Sequence, residues 1–158
     1  MARRDETAVW LAVAALVAGC ATGATTRCDV TKCSDDLLDT SHTVTYADGS
    51  GNAYVLSGAR LEYRPVEPET SSSGTYSGGK PFSRTLTAGQ RADLARAVNA
   101  AIDARGAHVL QRVMMSGQIG IECPGQTHLW ILAPGSAELR GIEVVLRRLQ
   151  GEAPGSKP

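Results

Sequence analysis

The feature that most constrains this chain is a short apolar segment close to its start. Residues 8–18 form an uninterrupted apolar run of 11 residues, and Arg3 and Arg4 precede it. A helix rises about 1.5 Å per residue, so the run spans about 17 Å against a hydrocarbon core of about 30 Å. The run is therefore too short for a permanent membrane span and fits the apolar core of a signal peptide. We expect the folded domain to be built from the residues that follow it.

The apolar run ends in the sequence Val17, Ala18, Gly19 and Cys20. Small residues fit the narrow groove of a peptidase, and a cysteine directly after them offers a thiolate for diacylglyceryl transfer. Residues 1–20 thus resemble the signal peptide and lipobox of bacterial lipoproteins. The resemblance implies cleavage before Cys20, acylation of Cys20 and anchoring in a lipid bilayer. Because Ala21 is not an inner-membrane retention signal in that class, it further implies the outer membrane, facing the periplasm. The alternative is an ordinary secretory signal with a chance cysteine.

Composition bounds the rest of the chain. Removing residues 1–19 from the 158 leaves 139, with 14 Lys and Arg against 14 Asp and Glu. That length suits one domain, and a neutral balance argues against nucleic acid as a partner. We expect a signal peptide at 1–19, a lipidated cysteine and flexible tether at 20–41, a single domain at 42–151 and a disordered tail at 152–158.

Three cysteines, Cys28, Cys33 and Cys123, remain after Cys20. The inferred compartment is oxidising, which predicts a disulfide among them. A bond between Cys28 and Cys33 would close a small loop beside the tether, whereas a bond from either of them to Cys123 would pin the tether to the domain. A zinc site of these cysteines with His128 has the right residue types, but oxidation of the thiols disfavours it. We expect no metal.

The first half of the domain is predicted to be β-rich. Residues 42–46 and 53–56 are β-prone runs around an Asp-Gly turn, which indicates a hairpin. In residues 59–64 apolar and charged side chains alternate, as in a half-buried strand. Residues 82–86 are predicted to be a further strand, and residues 69–80 a loop.

Two helices and further strands follow. Thr87 and Gln90 match a capping box, and apolar residues then recur at helical spacing, which predicts a helix over 88–105. Strands are predicted at 108–115, 118–122 and 128–133, the last apolar enough for a central strand buried on both faces. A second apolar stripe over 139–149, ended by Gly151, predicts the second helix. The order indicates an α+β fold, a small, mostly antiparallel sheet with two amphipathic helices packed on one face.

One loop is the best candidate for contacting a partner. It comprises Gly74, Thr75, Tyr76, Ser77, Gly78, Gly79 and Lys80. It departs from a phosphate-binding loop because Pro81 stands where a Ser or Thr would ligate Mg²⁺. Exposed backbone and a single tyrosine suit contact with a protein. The structural alternative is a flexible hairpin connection.

Catalytic signatures are weak. His42, His108 and His128 are far apart in the sequence, and the Gly-x-Ser-x-Gly elbow of hydrolases is not in the chain. We therefore expect no catalytic residue and no cofactor, although a hydrolase with an unrecognised site stays open, because triads are recognised by geometry.

A second resemblance covers residues 61–149. A strand, a Gly-Gly loop (Tyr76, Ser77, Gly78, Gly79), another strand, a helix, two strands and a Leu-rich helix follow the order seen in emfourin-type inhibitors of M4-family metallopeptidases. The resemblance implies that the loop inserts into a protease cleft. The chain departs from the family pattern at Lys80-Pro81-Phe82, where an aromatic-apolar pair often follows the glycines.

These observations favour a non-catalytic, membrane-anchored lipoprotein with a binding or structural role in the cell envelope. We expect the lipid bilayer and an unidentified protein as its partners. A protease-inhibitor-like module and an unrecognised hydrolase are the alternatives.

Overall fold

The computed structural model describes residues 42–123 and 126–151. Within them one six-stranded antiparallel sheet and two helices form an α+β fold, as predicted. The strands are β1 (Thr43–Ala47), β2 (Ala53–Ser57), β3 (Arg60–Arg64), β4 (Phe82–Thr85), β5 (Gly117–Cys123) and β6 (Gln126–Leu132). The helices are α1 (Ala88–Asp103) and α2 (Ala137–Gln150), and 3₁₀ turns lie at Pro68–Thr70 and Arg105–Ala107. The order across the sheet is β4-β3-β2-β1-β5-β6.

Local sequence signals account for the first hairpin. β1 and β2 pair antiparallel, with Val44 opposite Leu56 and Tyr46 opposite Tyr54. In the turn, the carboxylate of Asp48 accepts hydrogen bonds from the backbone amides of Ser50 and Asn52, each at 2.9 Å. An aspartate that binds the backbone two residues ahead stabilises a turn, so the predicted Asp-Gly hairpin is confirmed.

Both helices begin at side-chain caps. The hydroxyl of Thr87 accepts from the amide of Gln90, whose side chain accepts from the amide of Thr87, which confirms the predicted capping box. Ser136 caps α2 through the amide of Leu139. Gly151 ends α2 in the left-handed region at φ 87°, a conformation that glycine adopts without steric cost.

The apolar core contains residues of the sheet and of both helices. Residues that pair directly across strands lie on the same face, so the alternation within each strand defines a buried face and an opposite face. The buried face and the two helices supply one continuous apolar cluster that includes Tyr46, Leu61, Ile121, Val98 and Ile142.

Two sequence predictions about strands are wrong. The strand at 128–133 is β6, which lies at an edge of the sheet, and Leu129 on its opposite face is 60% exposed. Its apolar run reflects Trp130 and Leu132 on the buried face rather than burial of both faces. Residues 108–115 form no strand beyond a single bridge from His108 to Leu132.

Several sequence predictions lie outside the described residues. These are the signal peptide at 1–19, the lipidated cysteine and tether at 20–41, and the tail at 152–158.

Candidate functional site

The register of the sheet gathers four connecting segments at one end. Ala47 at the end of β1 lies opposite Ala53 at the start of β2 and Gln118 near the start of β5, and Ala53 lies opposite Arg64 at the end of β3. We call this the loop end. Its segments are residues 48–52, 65–81, 104–116 and 133–136. The chain enters the described domain at the other end, where Thr43 lies opposite Glu122.

The predicted partner-binding loop is docked at the loop end by a buried asparagine. Asn52 is 4% exposed, and its side-chain amide donates to the carboxylate of Asp48 at 2.8 Å and to the hydroxyl of Tyr76 at 2.9 Å. Its side-chain oxygen accepts from the amide of Val66 at 2.9 Å. Since Asp48 is itself fixed by the hairpin turn, Asn52 ties the loop to the sheet. A buried polar group with all these partners specifies one arrangement.

Gly78 is the point of closest approach in this loop. Its amide donates to the carbonyl of Val66 at 2.9 Å, and its carbonyl accepts from the hydroxyl of Tyr63 at 2.7 Å. A Cβ atom at Gly78 would lie 1.9 Å from the side-chain oxygen of Asn52 and 2.9 Å from the Cβ of Pro65. Only glycine fits there, so Gly78 holds the loop in place rather than facing a partner.

The rest of the loop faces solvent. Thr75, Ser77, Gly79 and Lys80 are exposed, and Tyr76 is 38% exposed beside its hydrogen bond to Asn52. The hydroxyl of Ser73 accepts from the amide of Tyr76 at 3.2 Å, which fixes the turn locally. The loop therefore presents exposed backbone and short polar side chains in a defined shape.

A groove of about 530 Å³ separates the loop from α2. Loop residues, aromatic residues of the sheet and polar residues of α2 share in lining it. The lining residues are Asp48, Tyr54, Tyr63, Gly78, Gly79, Lys80, Phe82, Glu143, Leu146, Arg147 and Gln150. The structure thus brings three of the predicted loop residues together with a helix that the sequence did not connect to them.

A row of aromatic rings crosses the sheet beneath this groove. The ring centroids of Tyr46, Tyr54, Tyr63 and Phe82 follow one another at 6.3, 4.7 and 5.4 Å. Cross-strand aromatic pairs of this kind stabilise a sheet. The hydroxyl of Tyr54 accepts from the side chain of Gln150 at 2.8 Å, and that of Tyr63 donates to Gly78. The row therefore connects α2 with the loop.

The electrostatics of the groove centre on Glu143. Burial raises the pKa of its carboxyl above the ordinary value, and the positive charge of Arg147 opposes this only in part. The hydroxyl of Tyr46 donates to Glu143 at 3.4 Å, and burial, with Glu143 next, raises the pKa of Tyr46 well above its usual range. With Lys80 and Arg147 on the same walls, the groove offers both charge signs over an aromatic floor, which suits a polar peptide segment.

The three histidines that the sequence offers, His42, His108 and His128, do not line this groove. His108 Nε2 lies 2.8 Å from the carbonyl oxygen of Ala101, and His128 stacks on Trp130 at a centroid distance of 6.0 Å.

Of the four cysteines in the sequence predictions, only Cys123 lies within the described residues. Cys20, Cys28 and Cys33 lie outside the described residues, whereas Cys123 ends β5 next to Glu122, opposite the start of β1. Within residues 42–123 and 126–151, no group of three or more His, Cys, Asp and Glu side chains is placed to hold a metal ion.

Sequence reasoning missed Asp48, Asn52, Tyr63 and Glu143. The role of Asp48 could have been predicted from the sequence, since it belongs to the Asp-Gly turn. The other three act through contacts that join segments distant in the sequence, such as Tyr46 with Glu143, which are 97 positions apart. Sequence spacing carries no signal for such pairs.

Comparisons with known proteins found no match, so the site is interpreted from its own geometry. No family model, no curated protein and no solved structure matches this chain. Among the helices of the described residues, none is long and apolar enough to cross a membrane.

Proposed function

We propose that this protein is a membrane-anchored bacterial lipoprotein whose single domain binds a protein partner in the cell envelope and catalyses no reaction. The observation that carries the binding role is the docked state of residues 74–80. A loop held in one shape before binding loses less conformational entropy on association than a flexible one. The hydrogen bonds of Asn52 and Gly78 supply that preorganisation.

The anchor is proposed from the lipobox. Cys20 is the acylated first residue of the mature chain, and the domain faces the periplasm from the outer membrane. Replacing Cys20 with Ala should move the protein from the membrane fraction to the periplasmic fraction. Unchanged fractionation would contradict the anchor and leave the domain's binding role to be judged by itself.

The position of Cys123 fits a disulfide between the domain and the tether. It lies at the end of the sheet where the chain enters, and Cys33 precedes Thr43 by ten residues and Cys28 by fifteen. Either cysteine is close enough along the chain to reach Cys123. Such a bond would shorten the free part of the tether to the residues between Cys20 and the bonded cysteine.

We infer that α1 and α2 both lie on the buried face of the sheet. Apolar residues of both helices share one cluster with that face, and Glu143 and Gln150 of α2 bond to tyrosines of β1 and β2. This arrangement places the polar side of α2 along the groove, opposite the loop.

Site-specific photocrosslinking tests the binding role. A photoreactive amino acid at Thr75 or Lys80 should give a discrete adduct in cells, and one at Arg96, an exposed position on α1, should not. Adding Gly78→Ala should abolish the adduct because it undocks the loop. Equal adducts from all three positions, or none from the loop, would contradict the proposal.

A protease-inhibitor role is the more specific second candidate, because a rigid loop with exposed backbone is the form in which many inhibitors enter a protease cleft. Titrating the protein against an M4-family metallopeptidase tests it. Stoichiometric inhibition that Tyr76→Ala weakens would support this role, and no inhibition would leave the general binding module.

A further inference from the structure

A second surface at the loop end is strongly apolar. In residues 109–116, which we call the apolar loop, Leu110 is 99% exposed, Met114 87%, Met115 59% and Val113 53%. Single exposed apolar residues are common, but four within six positions mark an interaction surface. None of its residues lines the groove between residues 74–80 and α2.

The fold holds the apolar loop in its exposed state. Ser116 is fully buried, and its hydroxyl donates to the carbonyl of Val113 at 2.6 Å while accepting from the amide of Val113 at 3.2 Å. The amide of Val109 donates to Ile131 at 2.9 Å, and the guanidinium of Arg112 donates to the carbonyl of Asp48 at 2.9 Å. These bonds tie both halves of the loop to the sheet and to the hairpin turn.

The backbone at Met115 shows that this shape is imposed. Met115 has φ 65°, in the left-handed region that a side chain like its own disfavours. Gly49 lies directly against it, and a Cβ on Gly49 would come within 2.6 Å of the Cα of Met115. Strained residues held by their surroundings concentrate at functional segments. The four side chains are therefore exposed because the backbone is held in this conformation, and not because the loop is loosely attached.

The positive charge beside the apolar loop indicates the kind of surface that it would contact. No acidic residue lies between Asp103 and Glu122, whereas the exposed Arg105 and Arg112 lie in that stretch. Apolar side chains that project into solvent beside arginines match an anionic lipid surface, where the apolar groups enter the interface and the guanidinium groups stay with the headgroups. Leu110 is 99% exposed, so it makes almost no contact with its own domain. A lipid interface can bury such a side chain without a pocket of matching shape.

We propose that the apolar loop inserts into the interface of a bilayer that contains anionic lipids and so orients the domain on the membrane. This inference rests on the proposed membrane location but adds a second contact to the acyl chains. The 22 residues from 20 to 41 have a maximum length of about 75 Å. The longest strands, with seven residues each, span only about 24 Å. The tether therefore allows the loop end to reach the bilayer.

Vesicle sedimentation with an unacylated protein tests the proposal separately from the anchor. The protein is the chain from residue 20 with Cys20→Ala, since residues 1–19 would themselves bind lipid. It should sediment with vesicles of phosphatidylethanolamine and phosphatidylglycerol, and more weakly with phosphatidylcholine alone. The pair Leu110→Ser and Met114→Ser should reduce partitioning at least about tenfold, because it removes two apolar side chains from the interface.

A matched control replaces two exposed apolar residues that lie outside the apolar loop. Leu129→Ser with Val144→Ser changes two other exposed positions and should retain most vesicle binding. Unfolding curves of both pairs check that the fold persists. No binding by the parent protein, or equal loss in both pairs, would overturn the proposal. A lipid-free dimer that only the loop pair dissociates would also overturn it, in favour of a second copy of the chain. Because none of these proteins is acylated, the outcome is independent of whether Cys20 carries lipid.

Discussion

Gly78→Ala adds one methyl group at the point where the partner-binding loop meets the sheet. The new Cβ would lie 1.9 Å from the Asn52 side-chain oxygen, well under the 3.0 Å below which real Cβ contacts essentially never occur. Asn52 cannot move aside because Asp48, Tyr76 and Val66 all hold its side chain. The loop must therefore leave the sheet.

The cost follows from the bonds that undocking breaks. These are Gly78 to Val66, Tyr63 to Gly78, and Asn52 to Tyr76. At about 1 kcal/mol each they amount to roughly 2–4 kcal/mol. Loss of glycine's freedom in the unfolded chain offsets about 0.4–1 kcal/mol. We expect a net loss of about 2–3 kcal/mol in the free energy of unfolding.

Urea unfolding monitored by circular dichroism measures this loss, and Gly141→Ala is the matched control. Gly141 lies inside α2, and nothing lies within 4 Å of its added Cβ. The same chemical change should therefore stabilise the protein there, by up to about 1 kcal/mol. Opposite signs at the two glycines are the expected result.

A double-mutant cycle with Asn52→Ala identifies the cause. Removing the Asn52 side chain removes the nearest atoms that the new methyl group meets and leaves the contact with the Cβ of Pro65 at 2.9 Å. Gly78→Ala should therefore cost about 1 kcal/mol or less in that background. If Gly78→Ala costs the same with and without Asn52, or stabilises the protein as Gly141→Ala should, the docking described for this loop is wrong.

Three further predictions follow from the same contacts. Glu143→Gln should stabilise the protein relative to the parent, and increasingly so as pH rises from about 4.5. Burial raises the pKa of Glu143 in the folded state, so the contribution of Glu143 to stability is complete below its ordinary pKa and is lost as pH rises through the raised pKa. Thermal unfolding of both proteins at several pH values measures this, and a difference in stability that does not change with pH would contradict it. Tyr76→Phe removes one hydrogen bond to Asn52 and should cost about 1 kcal/mol while speeding amide hydrogen exchange at Gly78, whereas unchanged exchange would mean that Tyr76 does not hold the loop. Cys123→Ser should abolish a disulfide between the domain and the tether. Peptide mapping under non-reducing conditions should then show a cross-linked peptide in the parent protein and none in the variant. A bond between Cys28 and Cys33 in both proteins would exclude a disulfide to Cys123.

The elements that the sequence predicted correctly are those whose causes are local. The capping box of Thr87 and Gln90 spans four positions, and the Asp48 turn spans five. Both are decided by side chains that bond to nearby backbone, so the pattern alone specifies them. The alternation of Leu61 and Tyr63 with charged residues likewise predicted a half-buried strand.

The predictions that failed depended on distant pairings. An apolar run cannot distinguish a central strand from an edge strand whose one face is strongly apolar, as in β6. Residues 108–115 carry β-prone side chains, yet the bonds of Ser116 to Val113 and the left-handed Met115 prevent a strand. The candidate loop was located from its glycines, but its docking through Asn52 joins positions 24 apart. Only the folded chain brings these residues together.

The proposed membrane location of the described domain depends on acylation of Cys20. Intact mass of the protein extracted from membranes, without and with reduction, tests this most directly. We predict a chain that begins at Cys20, carries acyl chains and gains the mass of two hydrogens on reduction. An unacylated mass, or one that retains residues 1–19, would contradict both the proposed anchor and the proposed membrane location.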